Sequence, residues 1–400
     1  MLVGLIGKPN TGKSTFFSAA TMKTVAIADF PFTTIKPNVG MAYLRTKCVH
    51  EEMGVVDKPR NSVCANGVRL IPVKLVDVAG LVEGAAGGRG LGNQFLEEVM
   101  QADALVQVVD ASGSTDSEGR KVAAGTQDPA KDVEMVEREL DLWLLGIIKR
   151  DWEKASKLAE QLRASVAPSL AQRLSGLGVD EETVEQTLLR LHLKPDKPLG
   201  WPAGSLEAFV TALRVRTKPS LLAANKDDLP SSADRIEGLR KTGRTVVPCA
   251  AEAELLLRKA AEAGFIAYTP GDSGFKVTKE GLAPAQSKAL QLVKERVLDK
   301  YGNTGVQQAI DQAYFGLLRS VVVYPVEDET KLSDKNGNVL PDAYVMSGGS
   351  TALDLARKIH SDLAESFLYA IDARTGMRLS SEYLLKDRDI LRIFSSGRRG

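Results

Sequence analysis

The sequence predicts an α/β protein built on a doubly wound, mostly parallel sheet, with an all-helical insertion and a small α+β unit at its C-terminal end. Three observations lead there. Short, nearly continuous apolar runs recur at 2–6, 73–76, 104–109, 220–224 and 245–248, each followed by a turn or a helical stretch. A long segment between about 113 and 216 breaks that alternation with helical periodicity alone. After about residue 318 the texture changes again, to clustered strands.

Apolar runs of this length suit parallel strands buried on both faces, and strand–helix alternation implies right-handed crossovers. Asn66-Gly67, between Val63 and Val68, reads as a tight hairpin turn that adds an antiparallel strand. Within the insertion, Val133, Val136, Leu140, Trp143, Leu144 and Ile147 recur at helical spacing, and further helices are expected over 152–164 and 181–193. Helices over 284–300 and 305–318 precede the final unit, where 320–324, 367–371 and 389–394 read as strands, 335–339 as a turn and 351–363 as a helix. The expected division is 1–112 with 217–283 as the sheet domain, 113–216 as the insertion, 284–318 as connecting helices and 319–400 as the terminal domain.

Composition narrows the class. Of 400 residues, 44% are apolar and 26% charged, which suits globular domains and excludes disordered or fibrous chains. Lys plus Arg (52) nearly equals Asp plus Glu (51), so charge points to neither DNA nor a membrane surface. Three cysteines cannot staple a chain of this size, which favours a reducing compartment. No apolar run approaches the ~18 residues of a membrane span, and the first apolar run leads straight into a motif, as a strand does and a signal peptide does not. A cytoplasmic location is expected.

The motif is Gly7-Lys8-Pro9-Asn10-Thr11-Gly12-Lys13-Ser14, the full G-x-x-x-x-G-K-[ST] pattern between a strand and a helix. Its backbone N–H groups and the helix N-terminus can wrap a polyphosphate, Lys13 can reach the β and γ oxygens, and Ser14 can ligate Mg²⁺. Asp77-Val78-Ala79-Gly80 closes another strand; Asp77 is placed to hold Mg²⁺ and the Gly80 N–H to bind a γ-phosphate. Thr34, in Pro31-Phe32-Thr33-Thr34, can complete the Mg²⁺ shell when that phosphate is present. Asn225-Lys226-Asp227-Asp228 follows a third strand. Asp228 can accept from the guanine ring N–H and amine, Asn225 is expected to face the base edge, and Lys226 to stack along it. In Cys249-Ala250-Ala251, a backbone N–H is expected near guanine O6. The ligands so implied are GTP and GDP.

The run from Pro31 to Gly40, and that from Asp77 to Phe95, resemble the switch segments of Obg-type GTPases, in particular the YchF-related branch in its archaeal form. The segment from about Leu318 resembles a TGS domain, a β-grasp module. The resemblance implies a P-loop GTPase fold, phosphate contacts from Asn10, Thr11, Gly12, Lys13, Ser14 and Thr15, Mg²⁺ at Ser14 and Thr34, a nucleotide sensor at Asp77 and Gly80, and a ribosome, RNA or translation-factor partner. Many YchF-type proteins prefer ATP and have a degenerate base-reading motif, whereas Asn-Lys-x-Asp is intact here. Leu81 stands where Ras-type enzymes orient water with glutamine, and Ala250 where a serine is usual. Asn10 occupies the position at which related GTPases bind K⁺. Modest, K⁺-stimulated turnover involving Lys13, Thr34, Gly80 and Asn10 is therefore expected.

Two readings compete with a GTP-driven switch: a nucleotide-regulated RNA-binding or assembly protein with negligible turnover, and an ATP-preferring NTPase. Charges balance within 319–400, so RNA binding there rests on the resemblance. Cys48, His50 and Cys64 offer three zinc ligands without a convincing fourth, and isolated buried cysteines are the default reading.

Overall fold

Leu2–Ile6 forms β1, whose burial is nearly complete, and the seven residues of β5 (Ala104–Asp110) are all buried. Burial on both faces is what a central parallel strand requires, and it explains the unbroken apolar runs. The remaining strands of this sheet are β2 (Asn38–Lys47), β3 (Val63–Ala65), β4 (Val68–Asp77), β6 (Ser220–Asn225) and β7 (Val246–Cys249), in the order β2-β4-β1-β5-β6-β7, with β3 paired to β4. Pairing is parallel from β1 through β5 and β6 to β7. The β3–β4 pair is an antiparallel hairpin whose turn residues, Asn66 and Gly67, both have positive φ, as a type I′ turn demands. The computed structural model describes residues 1–22, 38–78, 80–87, 98–279 and 281–396. Thr34, with 31–37 of the first switch-like segment and 79 and 88–95 of the second, lies outside the described residues.

The chain resolves into two units, 2–40 with 75–309, and Met1 with 41–74 and 310–400. In the first, α1 (Lys13–Thr21) follows the glycine-rich loop, and the insertion supplies α3 (Pro129–Lys149), α4 (Trp152–Leu162), α5 (Ala167–Leu174), α6 (Glu181–Arg190) and α7 (Ser205–Thr217). Asp128 caps α3 through Ala130 N, with Pro129 in the first turn, and Asp180 caps α6 through Thr183 N. The insertion is not a separate core. Trp143, Leu144, Leu188 and Phe209 share one apolar cluster with Ile6, Val76 and Leu105 of the sheet. The other face is covered by α8 (Ser232–Lys241), through Ile236 and Leu239 against Val109 and Leu222. Beyond β7 lie α9 (Ala251–Glu262), a short hairpin of β8 (Ile266–Ala267) and β9 (Lys276–Val277), and α10 (Pro284–Val293), which runs through a π-type turn into α11 (Asp299–Tyr301).

The second unit holds a five-stranded sheet in the order β11-β10-β14-β12-β13, formed by β10 (Val321–Val326), β11 (Tyr344–Met346), β12 (Phe367–Asp372), β13 (Arg378–Leu379) and β14 (Asp389–Ser395). Helix α12 (Ala352–Ile359), opened by a Thr351–Asp354 capping box, sets Leu355 against Val323 and Leu391. Side chains explain how two segments are grouped. Segment 41–74, with α2 (His50–Met53), joins the terminal unit because Asn61 exchanges two hydrogen bonds with Ala343 and Arg69 donates to Leu340 O. The stretch 284–309 joins the sheet unit because its apolar residues Leu290, Val293 and Leu298 complete a cluster with Ala250 and Leu257. Among the described residues, no helix is long and apolar enough to cross a membrane.

Candidate nucleotide site

Four loops converge at the C-terminal ends of β1, β4, β6 and β7, where open parallel sheets present ligand sites. Gly7 to Ser14 links β1 to α1. Gly12 has φ of +93°, and a Cβ there would stand 2.2 Å from Asn225 Nδ2, so only glycine fits. A Cβ on Gly80 would run into the Pro9 ring, which keeps the Asp77 loop tight against the glycine-rich one.

At the phosphate end, the first-turn N–H groups of α1, on Lys13, Ser14 and Thr15, have no partner within the helix and carry its positive end. Lys13 Nζ donates to Lys8 O at 2.8 Å and is nearly buried. Burial brings its pKa down to about 8, against the pull of Asp77 in the other direction. Ser14 Oγ donates to Asp77 Oδ2 at 3.0 Å. Asp77 is fully buried, its Oδ1 has no hydrogen-bond partner among the described residues, and burial raises its pKa despite Lys13 and Ser14. A hydroxyl beside a carboxylate with an unused buried oxygen is a hard-oxygen donor set, and it suits Mg²⁺.

The phosphate loop is braced from the side. Lys8 makes a buried ion pair with Asp132 at 2.7 Å and donates to Thr115 O at 2.7 Å. Asn10, in the left-handed region, donates through Nδ2 to Gly119 O at 2.8 Å. Glu139, on α3, accepts from Gly84 N and Ala86 N at 2.8 Å each and so anchors the segment that follows Gly80. Leu81 is buried in the core, and its N–H donates to Gly7 O, so its side chain cannot meet a water at the phosphates.

The base end is built differently. Asn225 Nδ2 donates to Thr11 O at 2.9 Å, and its Oδ1 accepts from Ala251 N at 3.0 Å. The residue expected to face the base edge instead ties the phosphate loop to the loop after β7. The Ala250 N–H donates to Thr304 O, so neither amide expected near O6 is unengaged in this conformation. Lys226 Nζ is held at 2.8 Å by buried Asp110, which also accepts from Ser112, Ser114 and Thr115. Burial opposes ionisation of Asp110, but Lys226 and the Ser112 and Ser114 hydroxyls hold its pKa below the usual range. Asp228, half-buried, makes no hydrogen bond among the described residues. Its neighbour Asp227 points inward, fully buried and with both carboxylate oxygens unpartnered; burial, reinforced by Asp228, pushes its pKa up to about 8.

A family model described as 50S ribosome-binding GTPase matches residues 2–142, one described as Obg-like GTPase YGR210-like, G4 motif-containing domain matches 223–328, and a TGS domain matches 337–395. A GTP-binding protein of Methanocaldococcus jannaschii is 45% identical over 400 residues, covering 99% of this chain and all of its own. A ribosome-binding ATPase YchF from Mycoplasma pneumoniae is 36% identical over 222 residues, 52% of this chain and 58% of that one. The crystal structure of a GTP-binding protein from Pyrococcus horikoshii superposes with a TM-score of 0.77 at 41% identity, over 99% of this chain and all of the other.

The chain belongs to the YchF-type, Obg-like GTP-binding proteins.

Within this YchF-type protein Gly7, Asn10, Lys13 and Ser14 follow β1, Asp77 and Gly80 lie at the end of β4, and Asn225 and Asp228 at the end of β6, the three loops being joined by Ser14 with Asp77, Gly80 against Pro9 and Asn225 with Thr11. It also adds residues that sequence reasoning passed over: Lys8, Asp110, Asp132 and Glu139. Asp110 had one available signal, its place at the end of a wholly apolar strand followed by Ser112, Ser114 and Thr115. Asp132 and Glu139 had none, because on an amphipathic helix an acidic residue reads as solvent-facing.

Proposed function

We propose that this protein binds GTP with Mg²⁺, hydrolyses it slowly, and uses the nucleotide state as a switch in a ribosome-linked process. The observation that carries the guanine assignment is Asp228. Among the described residues it makes no hydrogen bond and, unlike its unpartnered but fully buried neighbour Asp227, it is partly exposed, while Asn225 and Lys226 are committed to holding the loops around it. Two acceptor oxygens at that place suit the adjacent N–H and NH₂ of guanine, and adenine offers no such pair. Lys13 and the first turn of α1 would bind the β and γ oxygens. Ser14 and Asp77 would hold Mg²⁺, with Thr34 joining from the first switch-like segment; the metal would neutralise charge developing on the phosphates.

Buried Leu81 supplies no water-orienting group, which favours slow turnover and dependence on another cation. K⁺ beside Asn10 is the proposed source, and equal rates in Na⁺ and K⁺ would remove it. The ribosome link draws on the name of the Mycoplasma relative and on the description of the matching family model; co-sedimentation with ribosomes in GTP but not GDP tests it. A second reading, ATP preference, has the same relative's name behind it. Displacement of a fluorescent GTP analogue decides between them. GTP should compete at least ~100-fold better than ATP, since a site built to pair with a donor rejects a base that lacks one. Asp228→Asn should abolish that preference and admit xanthosine triphosphate. Equal competition by ATP would overturn the guanine assignment.

A further inference from the structure

Apart from the residues of the nucleotide site, Cys48 directly follows β2, α2 begins at His50, a loop carries Asp57, and β3 carries Cys64. The structure draws the ligand-bearing atoms of all four within 4.8 Å of one another. Cys48 Sγ lies 3.3 Å from Asp57 Oδ2, Cys64 Sγ lies 3.5 Å from His50 Nδ1, and His50 Nδ1 lies 3.5 Å from Asp57 Oδ2. A tetrahedral zinc ion with sulfur at ~2.3 Å and nitrogen or oxygen at ~2.0–2.2 Å has ligand–ligand edges of about 3.3–3.8 Å. The three measured separations fall in that range. Asp57 adds a fourth donor atom that the spacing of Cys48, His50 and Cys64 does not reveal, because a loop returns it to the cluster.

The surroundings match in charge. Two thiolates, one carboxylate and a neutral imidazole around a dication leave one net negative charge, and Arg69 supplies the compensating positive one. Arg69 is completely buried, with Nη1 2.7 Å from Asp57 Oδ2 and 3.9 Å from Cys48 Sγ. Its own orientation is locked by Nη2 donating to Leu340 O at 2.7 Å and Nε donating to Ser62 Oγ at 2.8 Å. A carboxylate ligand oriented by a second group is how metal sites are tuned. Soft sulfur with imidazole selects zinc over Mg²⁺ or Ca²⁺.

We propose that Cys48, His50, Asp57 and Cys64 bind one zinc ion, which fastens the β2 end, α2 and the β3–β4 hairpin into the terminal unit. Binding displaces the two thiol protons to solvent, so the cluster plus Arg69 keeps its net charge and no oxidant or reductant is required.

The test uses the full chain, purified without a histidine tag and kept reduced. Zn²⁺ titrated against a chromophoric chelator should load about one equivalent. Co²⁺ in its place should give the intense visible bands of a tetrahedral ion together with thiolate charge-transfer absorption. Cys64→Ser should weaken Zn²⁺ binding at least ~100-fold, beyond what the loss of an outer-shell group costs, and His360→Asn should leave it unchanged. Should Cys64→Ser fail to fold, the Co²⁺ spectrum of the unaltered chain decides alone. Failure to load zinc, an octahedral Co²⁺ spectrum without charge transfer, or a Cys48–Cys64 disulfide in the protein as isolated would each overturn the proposal.

Discussion

The two ends of the nucleotide site solve opposite problems. At the phosphate end, charges sit buried and underused: among the described residues Lys13 hydrogen-bonds to a carbonyl and Asp77 keeps one oxygen unpartnered. At the base end, the polar groups that shape the loops are saturated by one another, Asn225 with Thr11 and Ala251, and Lys226 with Asp110. A cavity for polyphosphate can leave its charges unsatisfied, because the ligand brings opposite charge and a cation. A slot for a flat, neutral base must be built beforehand, because its few hydrogen bonds cannot also organise the loops. On the proposed reading the base end leaves Asp228 for the ligand and commits Asn225 and Lys226 to architecture.

The largest effect that can break this contrast lies at the phosphate end. Lys13→Ala should cost about 3 kcal/mol of triphosphate affinity, roughly 100-fold, by removing charge-assisted bonds in a dry site. Isothermal titration checks it, and a loss under tenfold would mean Lys13 does not reach the phosphates.

Asn225→Ala probes the other end. If Asn225 is a tie, affinity for GTP and ATP should fall together and the protein should lose about 2 kcal/mol of stability, since a buried carbonyl and a buried N–H are orphaned. A loss confined to GTP would restore it as a base reader.

Asp227 comes next. With a folded pKa of about 8 and an unfolded value near 3.9, the folded chain holds the extra proton between those limits, so its contribution is greatest below about pH 4 and is lost as pH rises to about 8. Asp227→Asn should therefore raise stability by several kcal/mol more at pH 8 than at pH 5, which denaturation at the two values resolves.

The smallest effect belongs to Lys13 again. On the proposed reading binding uses its ammonium, whose pKa burial brings down to about 8. Triphosphate affinity should hold steady below that pH and decline up to about tenfold per unit above it, and a flat profile to pH 9.5 would contradict the assignment.

Much of this was legible in advance where chemistry is local. The glycine-rich loop, the Asp77 turn and the Asn225–Asp228 loop each follow a strand whose apolar run announces it, so fold and site order could be read together. The hairpin at Asn66-Gly67 was equally readable, since few dipeptides accept positive φ at both positions. Asn225 shows where legibility stops: its motif marks it as important, but what its amide touches depends on loops 214 and 26 residues away. The placement of 41–74 with the terminal unit was hidden for the same reason, as Asn61 and Arg69 find their partners some 270–280 residues on.

The sequence by itself determined the sheet, the family and the chemistry available at the strand ends, because periodicity and short motifs are properties of neighbouring residues. Only the tertiary structure decided which charges are buried without partners, which polar groups consume one another, and that Asp57 joins Cys48, His50 and Cys64. Those depend on desolvation and on distances across loops, which arise only when distant segments pack.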